Sequence, residues 1–153
     1  MQANKEEFML LNHINKSTVA GVDWWVEQIQ NPTFSNGGSG QTESLMAILR
    51  LQQVQPLSLT QKKEFGKLLT DRIQTKLDAE GSICLFVDYA PYYDLGEVAN
   101  SAGIPGVNFP IKTTMTITKN RVSVNCGYGA DEVILYNDEA HPEIEAELSE
   151  SNV

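Results

Sequence analysis

Hydrophobic residues recur at helical spacing through the first half of the chain and at strand spacing through the second. Phe8, Leu11 and Ile14 share one face, and Asn4 with Glu7 has capping-box spacing. A first helix is therefore predicted from Asn4 to the break at Asn15-Lys16-Ser17. Val19, Val22, Val26 and Ile29 repeat at helical steps with Trp25 beside them, predicting a second helix. It starts at Ser17 or Thr18 and ends at Asn31-Pro32, because proline cannot continue a helix and restrains the residue before it. Thr42 can cap a third, with Leu45, Met46, Ile48 and Leu49 on its apolar side and Pro56 as its stop. The clearest pattern is a fourth helix: Phe65, Leu68, Leu69, Ile73 and Leu77 form one stripe, and charged residues fill the other faces. Ser58 and Gln61 have capping-box spacing, and Gly81 stands where a left-handed cap is needed.

After Gly81 the period changes. Ser82 to Val87 is an apolar run without polar alternation, which predicts a strand covered on both faces. Asp94 and Glu97 again have cap spacing, ahead of a short helix bearing Leu95, Val98, Ala99 and Ala102 and closed by Gly103 and Pro105. Ile111, Thr113, Met115 and Ile117 then alternate with Lys112, Thr114, Thr116 and Thr118, the signature of a half-exposed strand. Lys119-Asn120 makes a turn, Val122, Val124 and Cys126 return inward, and Val133 to Tyr136 forms a last strand. The pattern predicts an α+β fold in which N-terminal helices pack on a mostly antiparallel sheet of about four strands ending in a β-meander. Residues 1–136 are assigned to a single globular domain and residues 137–153 to an acidic C-terminal tail.

Charge sharpens that division. The net charge is −9, but residues 1–80 carry 9 acids and 8 bases, residues 81–136 carry 5 and 3, and residues 137–153 carry 6 acids and no base. The folded part is only mildly acidic. It lacks the basic footprint of a nucleic-acid binder. The N-terminus has no basic flank before an apolar region, and no apolar run approaches membrane-spanning length. The expectation is a cytoplasmic protein that binds neither nucleic acid nor membrane.

The motifs of catalysis are weak. Asn36-Gly37-Gly38-Ser39-Gly40-Gln41-Thr42 superficially resembles a phosphate loop, but Gln41 stands where the lysine is needed and Ser35 where the first glycine is needed. A linker is the better reading. His13 and His141 lie in distant segments, and Asp138, Glu139, His141 and Glu143 belong to the tail, so no metal is assigned. No serine occupies a nucleophile elbow. Cys84 and Cys126 fall in strands and are expected to be small buried hydrophobes. No cofactor and no catalytic residue are assigned.

The candidate site is the end of the strand over 82–88. There Asp88, Tyr89, Tyr92 and Tyr93 follow directly on an apolar run, and strand ends are where loops converge on a rigid platform. Tyrosine offers a flat contact face with a polar tip. Trp24 is added because adjacent helical side chains diverge by about 100°, so that if Trp25 joins the core Trp24 lies nearer the surface. Two functions fit. The first is a non-catalytic intracellular protein that binds a protein partner or a second copy of itself. The alternative is a small-molecule-binding enzyme or sensor, which requires a pocket at the end of the 82–88 strand.

Overall fold

The computed structural model describes residues 14–30, 49, 52–127 and 129–138. The helix expected from Asn4, most of that expected from Thr42, the glycine-rich stretch, both histidines and the chain beyond Asp138 lie outside the described residues. Three α-helices are described: α1 (Lys16–Gln30), α2 (Leu59–Glu80) and α3 (Tyr93–Ala102). The strands are β1 (Ser82–Val87), β2 (Pro91–Tyr92), β3 (Thr113–Thr118), β4 (Arg121–Cys126) and β5 (Val133–Asn137). They form one antiparallel sheet in the order β2-β1-β3-β4-β5, with β3-β4-β5 as the C-terminal meander. The fold class is as expected, with one strand more. The connection from β1 to β3 passes through β2 and α3 and returns antiparallel, so the described strands include no parallel pair.

Local chemistry explains where α2 begins and ends. Gln61 donates its backbone N–H to Ser58 Oγ at 3.1 Å, and Ser58 donates its own to Gln61 Oε1 at 2.9 Å. Two donors that the helix cannot satisfy internally are thereby paired. Gly81 ends the helix at φ +82°, a conformation that a Cβ disfavours, and its N–H donates to Leu77 O at 2.9 Å. Phe65, Leu69, Ile73 and Leu77 are fully buried along one side.

All three helices lie on one face of the sheet: α1 against β3, β4 and β5, α2 against α1, α3 and β1, and α3 against β1 and β2. Ile83, Leu85, Val87, Met115, Ile117, Val122 and Val124 point into that layer and are buried. Trp25, wholly buried on α1, donates its indole N–H toward Met115 Sδ at 3.1 Å and so ties the helix to the middle of β3.

Two expectations fail for a common reason. β1 is not covered on both faces: burial alternates along it, with Ser82 and Cys84 exposed and Phe86 half-buried. Its apolar outward residues mimic a central buried strand in the sequence. Cys84 is accordingly not a buried core thiol, and Cys126 is only half-buried. The two are free. Cys126 lies opposite Thr113 on the inner face whereas Cys84 faces outward, with β3 between their strands. Two strand spacings come to about 10 Å, beyond the roughly 7 Å between Cα atoms that a disulfide can span. Burial pushes the Cys126 thiol above its usual pKa, partly offset by a hydrogen bond with Thr113. The folded chain keeps that proton where an unfolded thiol begins to lose it. This contribution to stability is complete below the ordinary thiol pKa and declines as pH rises toward the raised value.

A buried asparagine closes the helical layer. Asn108, in the 3-10 turn Gly106–Asn108, donates from Nδ2 to Ile29 O at 3.0 Å and to Gln55 O at 2.7 Å. Its Oδ1 accepts from Gln55 N–H at 3.0 Å. One side chain thus ties the end of α1, the segment before α2 and the loop before β3. Asn108→Ala is expected to cost about 2–4 kcal/mol, since it strands buried backbone groups. Urea denaturation measures this, and a loss within experimental error refutes the clamp. Conversely, Ser17 Oγ is buried with no hydrogen-bond partner among the described residues. Ser17→Ala is expected to leave the urea midpoint unchanged or raise it, by up to about 1 kcal/mol. A clear loss contradicts the account of that hydroxyl.

Candidate functional site

The site is built on β2, the strand that the sequence pattern hides. It has only two residues, and one of them is a proline, which a sheet tolerates at its edge. The chain leaves β1 at Val87 and turns through Asp88-Tyr89-Ala90, where Asp88 N–H donates to Ala90 O at 3.2 Å. It comes back with Pro91 opposite Val87 and Tyr92 opposite Phe86. Phe86 alternates with the buried Leu85 and Val87, so Phe86 and Tyr92 share the outer face. Their rings stack at 5.7 Å with 25° between planes.

Tyr93 extends the array. Its ring centroid is 6.3 Å from that of Tyr92, tilted by 46°. It is 81% exposed and has backbone φ +51° as the first residue of α3. A bulky residue in that region costs on the order of 1–3 kcal/mol and persists only where its surroundings over-determine it. Tyr89 is also exposed, with Lys112 Nζ 5.9 Å from its ring centroid, a cation–π distance. Lys112 itself has φ +54°. Its N–H donates to Asp88 O and its carbonyl accepts from Gly127 N–H, both at 2.7 Å. These bonds continue the β1–β3–β4 pairing past the ends of the strands and fix the base on which Tyr89 stands.

Beneath the array, α3 is held in two ways. Gly96 faces β2 so closely that a Cβ there would lie 2.8 Å from Pro91 O. Arg72 of α2 reaches across, its Nη1 2.7 Å from both Asp94 Oδ1 and Glu97 Oε2. Hydrogen bonds to Asp94 and then Glu97 raise the guanidinium pKa further. This corrects the capping assignment. The helix starts at Tyr93, its cap residue Tyr92 offers no side-chain bond, and both carboxylates serve Arg72 instead. Asp94 still sits in the first turn, where a negative charge suits the helix dipole.

The predicted residues do not all converge. Tyr92 and Tyr93 form one array with Phe86, and Tyr89 and the half-buried Asp88 occupy the adjoining turn. Trp24 stands apart. It is half-buried on α1, its ring edge-on to Trp25 at 4.9 Å and 89°, and α1 lies under the meander rather than under β2. Phe86 and Lys112 were missed. Strict alternation from Leu85 would have placed Phe86 outside, but the uninterrupted apolar run argued for two covered faces. Lys112 is brought close by backbone bonds that leave no sequence mark.

A groove of about 250 Å³ lies between α2 and α3, lined by Leu68, Asp71, Arg72, Thr75, Val98 and Ser101. None of the tyrosines lines it. Among the described residues, no three His, Cys, Asp or Glu side chains gather as a metal site, and no helix is long and apolar enough to cross a membrane. No family model matches the chain, and no curated protein matches it either.

Gly96→Ala tests whether α3 positions the array. The added methyl must push α3 off Pro91, at an expected cost of about 1–3 kcal/mol. It should also alter the near-ultraviolet circular dichroism of the stacked rings. An unchanged spectrum at unchanged stability contradicts the packing account.

Proposed function

We propose that this chain is a non-catalytic binding protein whose partner is another protein, held through the aromatic array of Phe86, Tyr92 and Tyr93 with Tyr89 at its side. One observation carries the reading. Three tyrosines are 45–81% exposed on a single rim, yet Tyr92 is stacked on Phe86 and Tyr93 leans against Tyr92 rather than each standing alone. Large amphipathic rings fixed before binding lose little entropy on contact, which is why tyrosine concentrates at interface hot spots. The strained backbone of Tyr93 supports the same reading, because it spends stability to present a ring to solvent. The small-molecule alternative draws less support from the groove between α2 and α3, whose lining includes none of the tyrosines.

The test is affinity capture from the native cell with the unaltered chain, Tyr92→Ala, Tyr93→Ala and, as a control remote from the array, Val19→Ala on the exposed side of α1. The same protein should be lost with both tyrosine variants and kept with the control, each tyrosine costing about 2 kcal/mol, or roughly thirtyfold in affinity. Recovery of an identical set with every variant overturns the proposal.

A further inference from the structure

β5 closes the sheet order at the end opposite β2. Its first four residues, Val133-Ile134-Leu135-Tyr136, contain neither charge nor proline, two of the usual guards of an edge strand. Val133 and Ile134 are 52% and 42% exposed. The register slips once between Val122 and Ser123, so that Val122 faces Tyr136 and Ser123 faces Ile134, leaving Leu135 as the extra residue of a bulge. Leu135 and Tyr136 pack against the core. Ile134 lies opposite Ser123, whose side chain belongs to the outer face.

Charge stands at both ends of this apolar edge. Asp131 and Glu132 precede it and Asp138 follows, and residues 139–153 add five glutamates with no lysine or arginine. Arg121 offsets part of this, its Nη2 3.4 Å from Glu132 Oε1. The pattern bears on what can pair there. A second copy docked by antiparallel two-fold pairing about Leu135 would set Glu132 against Asp138 of the copy at both ends, and like charges opposite one another across strands are unfavourable. A segment with basic ends meets the opposite situation.

We propose that β5 is a strand-addition site for an extended peptide segment of a partner protein, with alternating apolar residues and lysine or arginine at its ends. Main-chain hydrogen bonds to β5 supply affinity, Val133 and Ile134 supply apolar contact on the two faces, and the acidic ends select charge. This surface is separate from the aromatic array, at the opposite edge of the sheet.

The test uses the full chain and two synthetic peptides with the same alternating valine–threonine core, one flanked by lysines and one by glutamates. Calorimetry at low salt should show the lysine-flanked peptide binding, and the glutamate-flanked one weaker by about tenfold or more. The lysine-flanked peptide should slow amide hydrogen exchange across 133–136, and N-methylating alternate residues of its core should abolish binding without any change to the protein. Ile134→Lys should weaken binding of the basic peptide, while Tyr92→Ala should leave it unchanged. Absence of binding, equal binding of the two peptides, or protection elsewhere than β5 overturns the proposal. So does a concentration-dependent dimer that buries these amides, which would show that a second copy takes the edge.

Discussion

The organising constraint is that, among the described residues, the helices cover one face of the sheet only. The inward residues of β1, β3 and β4 are buried beneath α1, α2 and α3. Trp25 fastens the layer to β3 through Met115, and Asn108 fastens the ends of the helical segments to one another. With the helices committed to the inner face, the outer face carries polar residues such as the threonines of β3 together with Cys84, Phe86 and Tyr92. The surface chemistry follows from the layer count rather than from any separate device.

This arrangement gives the aromatic array its rigidity. Phe86 is fixed because its neighbours Leu85 and Val87 are buried. Tyr92 is fixed because two residues of backbone pairing and the close approach of Gly96 hold β2 in place. Arg72 binds α3 to α2 through two carboxylates, so the first turn that carries Tyr93 is tethered to the core. The proposed interaction surface is thus an extension of the packed layer, and a partner would meet side chains already ordered. The β5 edge is the other product of the same economy: the sheet ends there, and acidic residues flank the strand.

Much of this architecture is legible in the sequence because its signals are local. Ser58 with Gln61, the stripe from Phe65 to Leu77, Gly81 and the alternation from Thr113 to Ile117 each act through bonds or spacing within one element. The signals that fail depend on tertiary context. An apolar strand with one bare face looks like one buried on both, so Cys84 and Phe86 were placed inside. Asp94 and Glu97 have the spacing of a cap, and only the position of Arg72, remote in sequence, diverts them. β2 is too short to have a period. The tyrosines Tyr89, Tyr92 and Tyr93 are legible by residue type and by their place after β1, whereas Trp24 joins the list through helical geometry beside Trp25, which says nothing of its distance from β1, and the topology separates it.

Thiol accessibility tests the one-sided sheet most directly, since Cys84 and Cys126 mark its two faces. Native protein is treated with a small thiol reagent near neutral pH, and modification at each site is followed by mass spectrometry. The account predicts that Cys84 is modified rapidly and to completion in the folded state. Cys126, half-buried and with its thiol pKa raised by that burial, should lag well behind until the chain is unfolded. If Cys84 is protected in the native protein and reacts only on denaturation, the outer face is covered, and the account of the aromatic array as an open binding surface is wrong.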